Sequence, residues 1–342
     1  MRNHARLWLI LVLILTTPFA TSLFQPADEG GKEQESVFPE LSGPYLGQEP
    51  PGMKPVLFAP GIVSTGSREW SSSFTPDGKF YCFGLSGPPK NAILFMKEKD
   101  GLWTEPTAAP FSGTYSEYDF NLTPDGSKLL YTSHRPPSGI GAEKSDSDIW
   151  MVERTASGWG EPRPLGPPIN TEHRELYPSM TRDGTLYFFS NRPGGRGGMD
   201  VYRSPLVDGK RGEPENLGDG INTEENESDP FVAADESFII VTSSRPGGFG
   251  RGDLYVSFRG EDGSWGTLIN LGETINTADT EFCPSITPDG KYIFFTSTRA
   301  PGIDYPPIKL GYKEKLGVAA GVSDRNIDIY WVDARIIEQF RQ

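Results

Sequence analysis

Short runs of apolar, β-branched and aromatic residues alternate with clusters of Gly, Pro, Asn and Asp from about residue 55 to residue 333. Runs of that length, closed off by turn formers, predict strands joined by hairpins. The order of the runs repeats. INTEHRELYPSMTRDGTLYFFSNRPGGRGGMDVY from Ile169 returns as INTEENESDPFVAADESFIIVTSSRPGGFGRGDLY from Ile221 and as INTADTEFCPSITPDGKYIFFTSTRAPG from Ile275, with weaker copies around Asp77 and Asp125. The turn aspartates Asp77, Asp125, Asp183, Asp235 and Asp289 lie 48, 58, 52 and 54 residues apart, a period that suits four short strands per unit.

Within a unit, the turn aspartate divides strand A from strand B. Thr75-Pro-Asp-Gly-Lys, Thr123-Pro-Asp-Gly-Ser and Thr287-Pro-Asp-Gly-Lys read as tight hairpins, because proline presets φ and glycine accepts a positive φ; the copies at Arg182 and Ala234 are looser. Strand C is the Asp-x-aromatic run at Asp148, Asp200, Asp253 and Asp328. Strand D lies near Trp103, Trp159, Trp265 and Gly212-Glu-Pro. The fifth unit runs into DARIIEQFRQ and has no strand D of its own, whereas Pro55-Val-Leu-Phe-Ala-Pro-Gly-Ile-Val-Ser-Thr matches a strand D with its linker and has no A, B or C before it. The expectation is an all-β, five-bladed β-propeller of four-stranded antiparallel blades, closed by the N-terminal strand, with six blades if a degenerate copy is hidden.

The recurring Thr-Pro-Asp-Gly-Lys, Leu-Tyr-Phe-x-Ser-x-Arg and Asp-Ile-Tyr segments resemble those of the TolB-type β-propeller repeat family over about residues 55–333. That resemblance implies the propeller fold. It also implies a module of the kind that docks other envelope proteins, or that accompanies peptidase domains. No peptidase domain follows here, and the chain has no Gly-x-Ser-x-Gly elbow.

Outside the repeats the sequence predicts a signal peptide over residues 1–22, from Arg2, Arg6, the apolar run Leu7–Leu15 and the small residues Ala20-Thr-Ser. A flexible Pro-, Gly- and Glu-rich tether is expected over 23–54, the propeller over 55–333 and a short helix over 334–342. Export places the protein in the periplasm or outside the cell, with no membrane span after cleavage. Losing residues 1–22 removes two arginines and no acid, taking the formal charge from −14 to −16, which disfavours nucleic acid as a partner. A monomer is expected. Cys82 falls at a core position, and a bridge to Cys283 would join the first and last blades.

Candidate chemistry follows from the repeat. Eight residues before each turn aspartate stands a glutamate, Glu69, Glu117, Glu175, Glu227 or Glu281, so five carboxylates should ring the channel mouth on the loop-rich face. The sequence calls for no cofactor, although such a ring could offer oxygen ligands to calcium, or charge to a basic peptide. On the same face Arg135, Arg192, Arg245 and Arg299 end strand B and Asp148, Asp200, Asp253 and Asp328 begin strand C, predicting a Glu-Arg-Asp structural clamp. Blade one has Gly87 and Ala92 in place of Arg and Asp, leaving Glu69 either drifted or free for a ligand. Between Arg299 and Asp328 an insertion carries Tyr305, Lys309, Tyr312, Lys313 and Lys315, a binding loop or a lid. Asn170, Asn222 and Asn276 read as turn-satisfying residues.

Past residue 22 the histidines are His134 and His173 alone, too few for a His-built metal site or a Ser-His-Asp triad. The reading that follows is an exported binding or scaffold module for a protein or peptide partner in the bacterial envelope, without catalysis. Its binding residues would be the five glutamates with Tyr305, Lys309 and Tyr312. The alternative is a carbohydrate-binding or glycoside-hydrolysing propeller using Glu117, Asp119, Glu227 and Asp229, with Trp70, Tyr118 and Tyr177 to stack a sugar.

Overall fold

The computed structural model describes residues 38–87, 90–306, 308, 310, 311, 313 and 327–341. The expected signal peptide, residues 23–37 of the expected tether, and Lys309, Tyr312 and Lys315 lie outside the described residues. Among the described residues no helix is long and apolar enough to cross a membrane.

Five antiparallel sheets form the five blades. Strand A runs over Glu69–Phe74, Glu117–Leu122, Glu175–Met180, Glu227–Val232 and Glu281–Ile286 in blades one to five. The Asp turn leads to strand B at Phe80–Leu85, Lys128–Ser133, Leu186–Ser190, Phe238–Ser243 and Tyr292–Ser297. Strand C follows at Ala92–Lys99, Asp148–Thr155, Asp200–Ser204, Asp253–Phe258 and Asp328–Asp333. Strand D is short, at Thr107–Ala108, Arg163–Pro164, Glu215–Asn216 and Ile269–Asn270 in the first four blades. The tryptophans stand four residues before strand D, in the C-to-D hairpins, as at Leu102–Trp103 and Gly158–Trp159.

The fifth blade is completed from the other end of the chain. Val56 and Leu57 pair with Trp331 and Tyr330, so the N-terminal strand closes the ring. Phe58 then buries its ring among Phe294, Trp331, Tyr81 and Phe74 at centroid distances of 4.8–6.2 Å. Residues 38–54 correct the expectation of a mobile tether. Leu46 is fully buried, Tyr45 packs edge-on against Phe74 and Tyr292 and donates to Asp289 at 2.7 Å, and Trp103 donates to the Gly43 carbonyl at 2.9 Å. A few aromatics anchored across the first and last blades outweigh the low mean hydropathy of the segment. At the other end, residues Ala334–Phe340 form a 3-10 helix capped by Asp333, which buries Ile336 and Ile337.

The repeated turn has a repeated cause. Thr75 Oγ1 donates to Asp77 Oδ1 at 2.5 Å, Asp77 accepts from the Lys79 amide at 3.0 Å, and Gly78 takes φ 65°. Equivalent Thr–Asp bonds occur at Thr123, Thr181 and Thr287. In blade four Glu236 holds the glycine position at φ 57°, which explains the weaker motif there. Both cysteines are buried and free, with no bridge between the first and last blades.

Candidate functional site

All five ring glutamates are fully buried, and those of blades three to five are held by the same set of donors, while in blade two the Gly113 amide and the Ser112 hydroxyl take the place of the threonine. In blade four, Glu227 accepts from the Thr223 amide at 2.7 Å, Thr223 Oγ1 at 2.9 Å, Ser243 Oγ at 2.7 Å and Arg245 Nη2 at 3.2 Å. The Arg–Glu distance is 3.4, 3.2, 3.2 and 3.1 Å in blades two to five. Each arginine also donates to the carbonyl of Phe111, Ile169, Ile221 or Ile275 in the preceding linker. The serine of Ser-x-Arg bonds the glutamate and accepts the arginine's amide, at 3.2 Å for Arg245, so the motif is a device for neutralising a buried carboxylate.

The aspartates do not share in it, which corrects the Glu-Arg-Asp clamp. Asp200 accepts from the amides of Arg196 and Gly197 and from Asn216, and Asp253 from those of Phe249 and Gly250 and from Asn270. Asp148 pairs with Lys144 at 2.6 Å and Asp328 accepts from Tyr305 at 2.5 Å. These carboxylates fold the B-to-C loops, because the loop amides reach them before any arginine does. Glycine is required there. A Cβ on Gly197 would lie 1.8 Å from the Glu225 carbonyl oxygen, and one on Gly250 2.0 Å from that of Asp279. Asn170, Asn222 and Asn276 bond both backbone groups of Ile149, Val201 and Leu254 at 2.8–2.9 Å, tying each linker to the strand C before it.

Blade one recovers a cation from elsewhere. Where Ser-x-Arg should stand it has Leu85 and Gly87, and among the described residues Glu69 accepts from Thr65, through its amide at 3.2 Å and its hydroxyl. Lys313 of the insertion reaches in, donating to Thr65 Oγ1 at 2.6 Å and Ser67 Oγ at 2.8 Å. Burial pushes the Glu69 carboxyl up to about 7, and Thr65 and Lys313 offset only part of that rise. Tyr305 packs on Gly66, Pro306 on Gly61, and Leu310 is buried with Phe58 and Phe83. Around these residues the insertion is a strap across the first and last blades.

The acids of the alternative reading separate. Glu117 and Glu227 stay in their clamps, while Asp119 and Asp229 project into the channel and meet Cys283 there, with one donor atom from each within 4.8 Å of the others. The cause is a bulge in strand A of every blade that puts its third residue at positive φ, namely Ser71 at 52°, Asp119 at 47°, Tyr177 at 46°, Asp229 at 51° and Cys283 at 50°. Burial raises both aspartates, and the Asp229 charge raises Asp119 further. Tyr177 is buried with its hydroxyl on the Pro284 carbonyl at 2.7 Å, and Trp70 is 5 % exposed, so neither offers a face for a sugar. Tyr118 is half-buried and bonded to His134 at 3.0 Å.

A cavity of about 470 Å³ is lined by Ser228, Asp229, Thr242, Arg251, Thr280 and Phe282, and so touches the cluster at Asp229. A second, of about 450 Å³, is lined by Phe111, Tyr115, Arg135, Ile140 and Trp159. Three exposed apolar side chains, Ile140 (84 %), Phe249 (49 %) and Ile303 (50 %), stand on B-to-C loops of the face where strand A begins.

No protein-family model matches the chain, and no curated protein matches it. Among solved structures it is similar to TolB from Agrobacterium tumefaciens, at 19% identity and TM-score 0.45 over 70% of this chain and 73% of that one. TolB from Acinetobacter baumannii is similar at 16% identity and TM-score 0.43, over 69% of this chain and 53% of that one. The α-L-arabinofuranosidase from Lactobacillus brevis matches at 13% identity and TM-score 0.46, over 80% of this chain and 92% of that one. At these values no residue role passes from any of the three to this protein.

Sequence reasoning missed two partnerships, that of Cys283 with Asp119 and Asp229, and that of Lys313 with Thr65. Aligning the third residue of each strand A, which reads Ser, Asp, Tyr, Asp, Cys, carries a signal for the first. Nothing local carries one for the second, whose members lie 248 positions apart.

Proposed function

We propose that this protein is an exported, non-catalytic binding module whose B-to-C loop face receives a protein or peptide partner in the bacterial envelope. The observation that supports this most is the 84 % exposure of Ile140, on a B-to-C loop of that face beside a cavity lined by aromatic side chains; Phe249 and Ile303 are exposed on two more loops there, and Leu102, Leu206 and Val207 on C-to-D hairpins at the other end of the blades. Loops held on a rigid sheet scaffold are suited to recognition, and exposed apolar side chains grouped on one face mark surfaces that partners cover. The cavity beside Ile140, with Phe111, Tyr115 and Trp159, gives an aromatic pocket of the kind that takes an anchor side chain. The glycoside-cleaving alternative is less well supported, because two of its four acids are fully buried and bonded within clamps.

The test is photo-crosslinking in the protein's own cells. A crosslinking residue at position 140 or 249 yields an adduct of defined mass, and one at position 79, on the Asp-turn face, does not. Equal adducts from both faces, or none from either, would count against the reading. Sugar released from a polysaccharide panel, and lost in Asp229→Asn, would favour the alternative.

A further inference from the structure

We infer that the centre of the channel is a binding site for a divalent transition metal of the zinc class, ligated by Asp119, Asp229 and the thiolate of Cys283. The inference concerns the channel interior and stands whether or not a partner docks on the loop face. Its first support is convergence. Three blades, two of them not adjacent in the ring, each aim a side chain inward from a bulge, and one donor atom from each lies within 4.8 Å of the others. Donor atoms around a tetrahedral zinc sit about 3.3–3.8 Å apart, so small torsional adjustments of three side chains suffice.

The second support is independent of the acids. Ser71 occupies the same bulge position in blade one; it is 1 % exposed, its Oγ has no hydrogen-bond partner, and it lies close enough to the Cys283 thiol to act on its ionisation. Other buried hydroxyls, among them those of Ser147 and Tyr330, also lack a partner; that of Ser71 is set apart by its place beside the Cys283 thiol. Here it points at the donor cluster, where it can accompany a metal-bound thiolate or a water in the remaining coordination position.

The donor chemistry selects the ion. Calcium takes six to eight oxygen ligands, and a thiol is not among them. Two carboxylate oxygens and one sulfur suit zinc or cobalt instead. Once deprotonated, the three groups would repel one another in the buried channel, and a dication relieves that repulsion. Arg174 alone faces Asp119 with a positive charge, while Asp229 is held by Thr242 Oγ1 at 3.2 Å and the Cys283 amide at 3.3 Å. Burial and the two aspartates hold the Cys283 thiol well above its ordinary pKa without a metal, so binding releases a proton and strengthens as pH rises.

The experiment is titration of the full-length, chelator-treated protein with Co²⁺, followed by absorption in the near ultraviolet, where a cobalt–thiolate bond gives charge transfer. One equivalent should bind with that band. Cys283→Ser should abolish the band, and Asp119→Asn should weaken binding more than about 100-fold, beyond what loss of a supporting contact does. Cys82→Ser, which removes the other buried thiol, should leave both unchanged. Far-ultraviolet circular dichroism establishes that each variant is folded, and the Asp119 variant tests the site should the Cys283 variant fail to fold. No band in the unaltered protein, a band that follows Cys82, or cobalt bound equally well without Cys283 would overturn the inference.

Discussion

Blade one and blade four solve one problem with different parts. Each begins strand A with a fully buried glutamate. Blade four neutralises it locally, with Arg245 two residues past Ser243 and 3.2 Å from the carboxylate. Blade one lacks both residues and borrows Lys313 from a loop 244 positions beyond Glu69, acting through Thr65. The comparison teaches that a repeat can lose its local countercharge where another part of the ring supplies one. It also ties the blade-five insertion to closure, since Lys313, Tyr305 and Pro306 all bear on the linker between the closing strand and blade one.

The largest effect should come from breaking the local arrangement. Arg245→Ala leaves Glu227 buried without its cation and should cost about 3–5 kcal/mol in urea unfolding. A loss below 1 kcal/mol would mean that the Thr223 and Ser243 hydroxyls hold the carboxylate unaided.

The next effect is in pH. Glu69 and Glu117 are both pushed up to about 7 by burial. The donors to Glu117, at 3.1–3.5 Å, are longer than those around Glu227. A carboxyl raised in the folded state binds more protons folded than unfolded between its ordinary value and 7. Its stabilising share is therefore fully present below the unfolded value and is lost as pH rises through 7. Glu69→Gln should remove about 3 kcal/mol of that loss, read as a flatter dependence of unfolding free energy between pH 5 and 8. An unchanged slope would show that Glu69 ionises normally.

Blade one also carries Gly84 where blades two, four and five have Thr132, Thr242 and Thr296 opposite the second residue of strand A. A Cβ there would lie 2.8 Å from the Trp70 ring. Gly84→Thr, although it restores the repeat, should destabilise by about 1–3 kcal/mol through overpacking. Lys313→Ala should cost about 1–2 kcal/mol and move the Glu69 titration upward, because the ammonium now lowers it. A cost equal to that of Arg245→Ala would make the borrowed cation a full substitute. Arg163→Ala, which removes an exposed pair with Glu153 at 3.7 Å, should change stability by less than about 0.5 kcal/mol and serves as the baseline.

Much of the fold was legible because its causes are local. The Thr–Asp turn, the alternation in strands B and C and the unpaired pattern at residues 55–65 each depend on a few neighbouring residues, and together they specified five blades and the closing strand. The clamp was half legible. Glu and Arg fall at fixed repeat positions, but whether Asp or a backbone carbonyl completes the arginine's contacts depends on how the loop folds back. The segment before residue 55 was read as a tether because its composition is poor in apolar residues, whereas Tyr45 and Leu46 decide its packing.

By itself the sequence determined the repeat, its five visible copies, the direction of each strand and the inventory of charged groups, since short-range stereochemistry and hydrophobic periodicity act along the chain. Only the tertiary structure decided which of those groups meet. A one-residue bulge turns Asp119, Asp229 and Cys283 from three separate blades into one channel, and ring closure brings Lys313 to Thr65. The physical reason is the same in both cases: these contacts join residues far apart in the chain, and their geometry is set by how the blades pack around the axis rather than by any local preference.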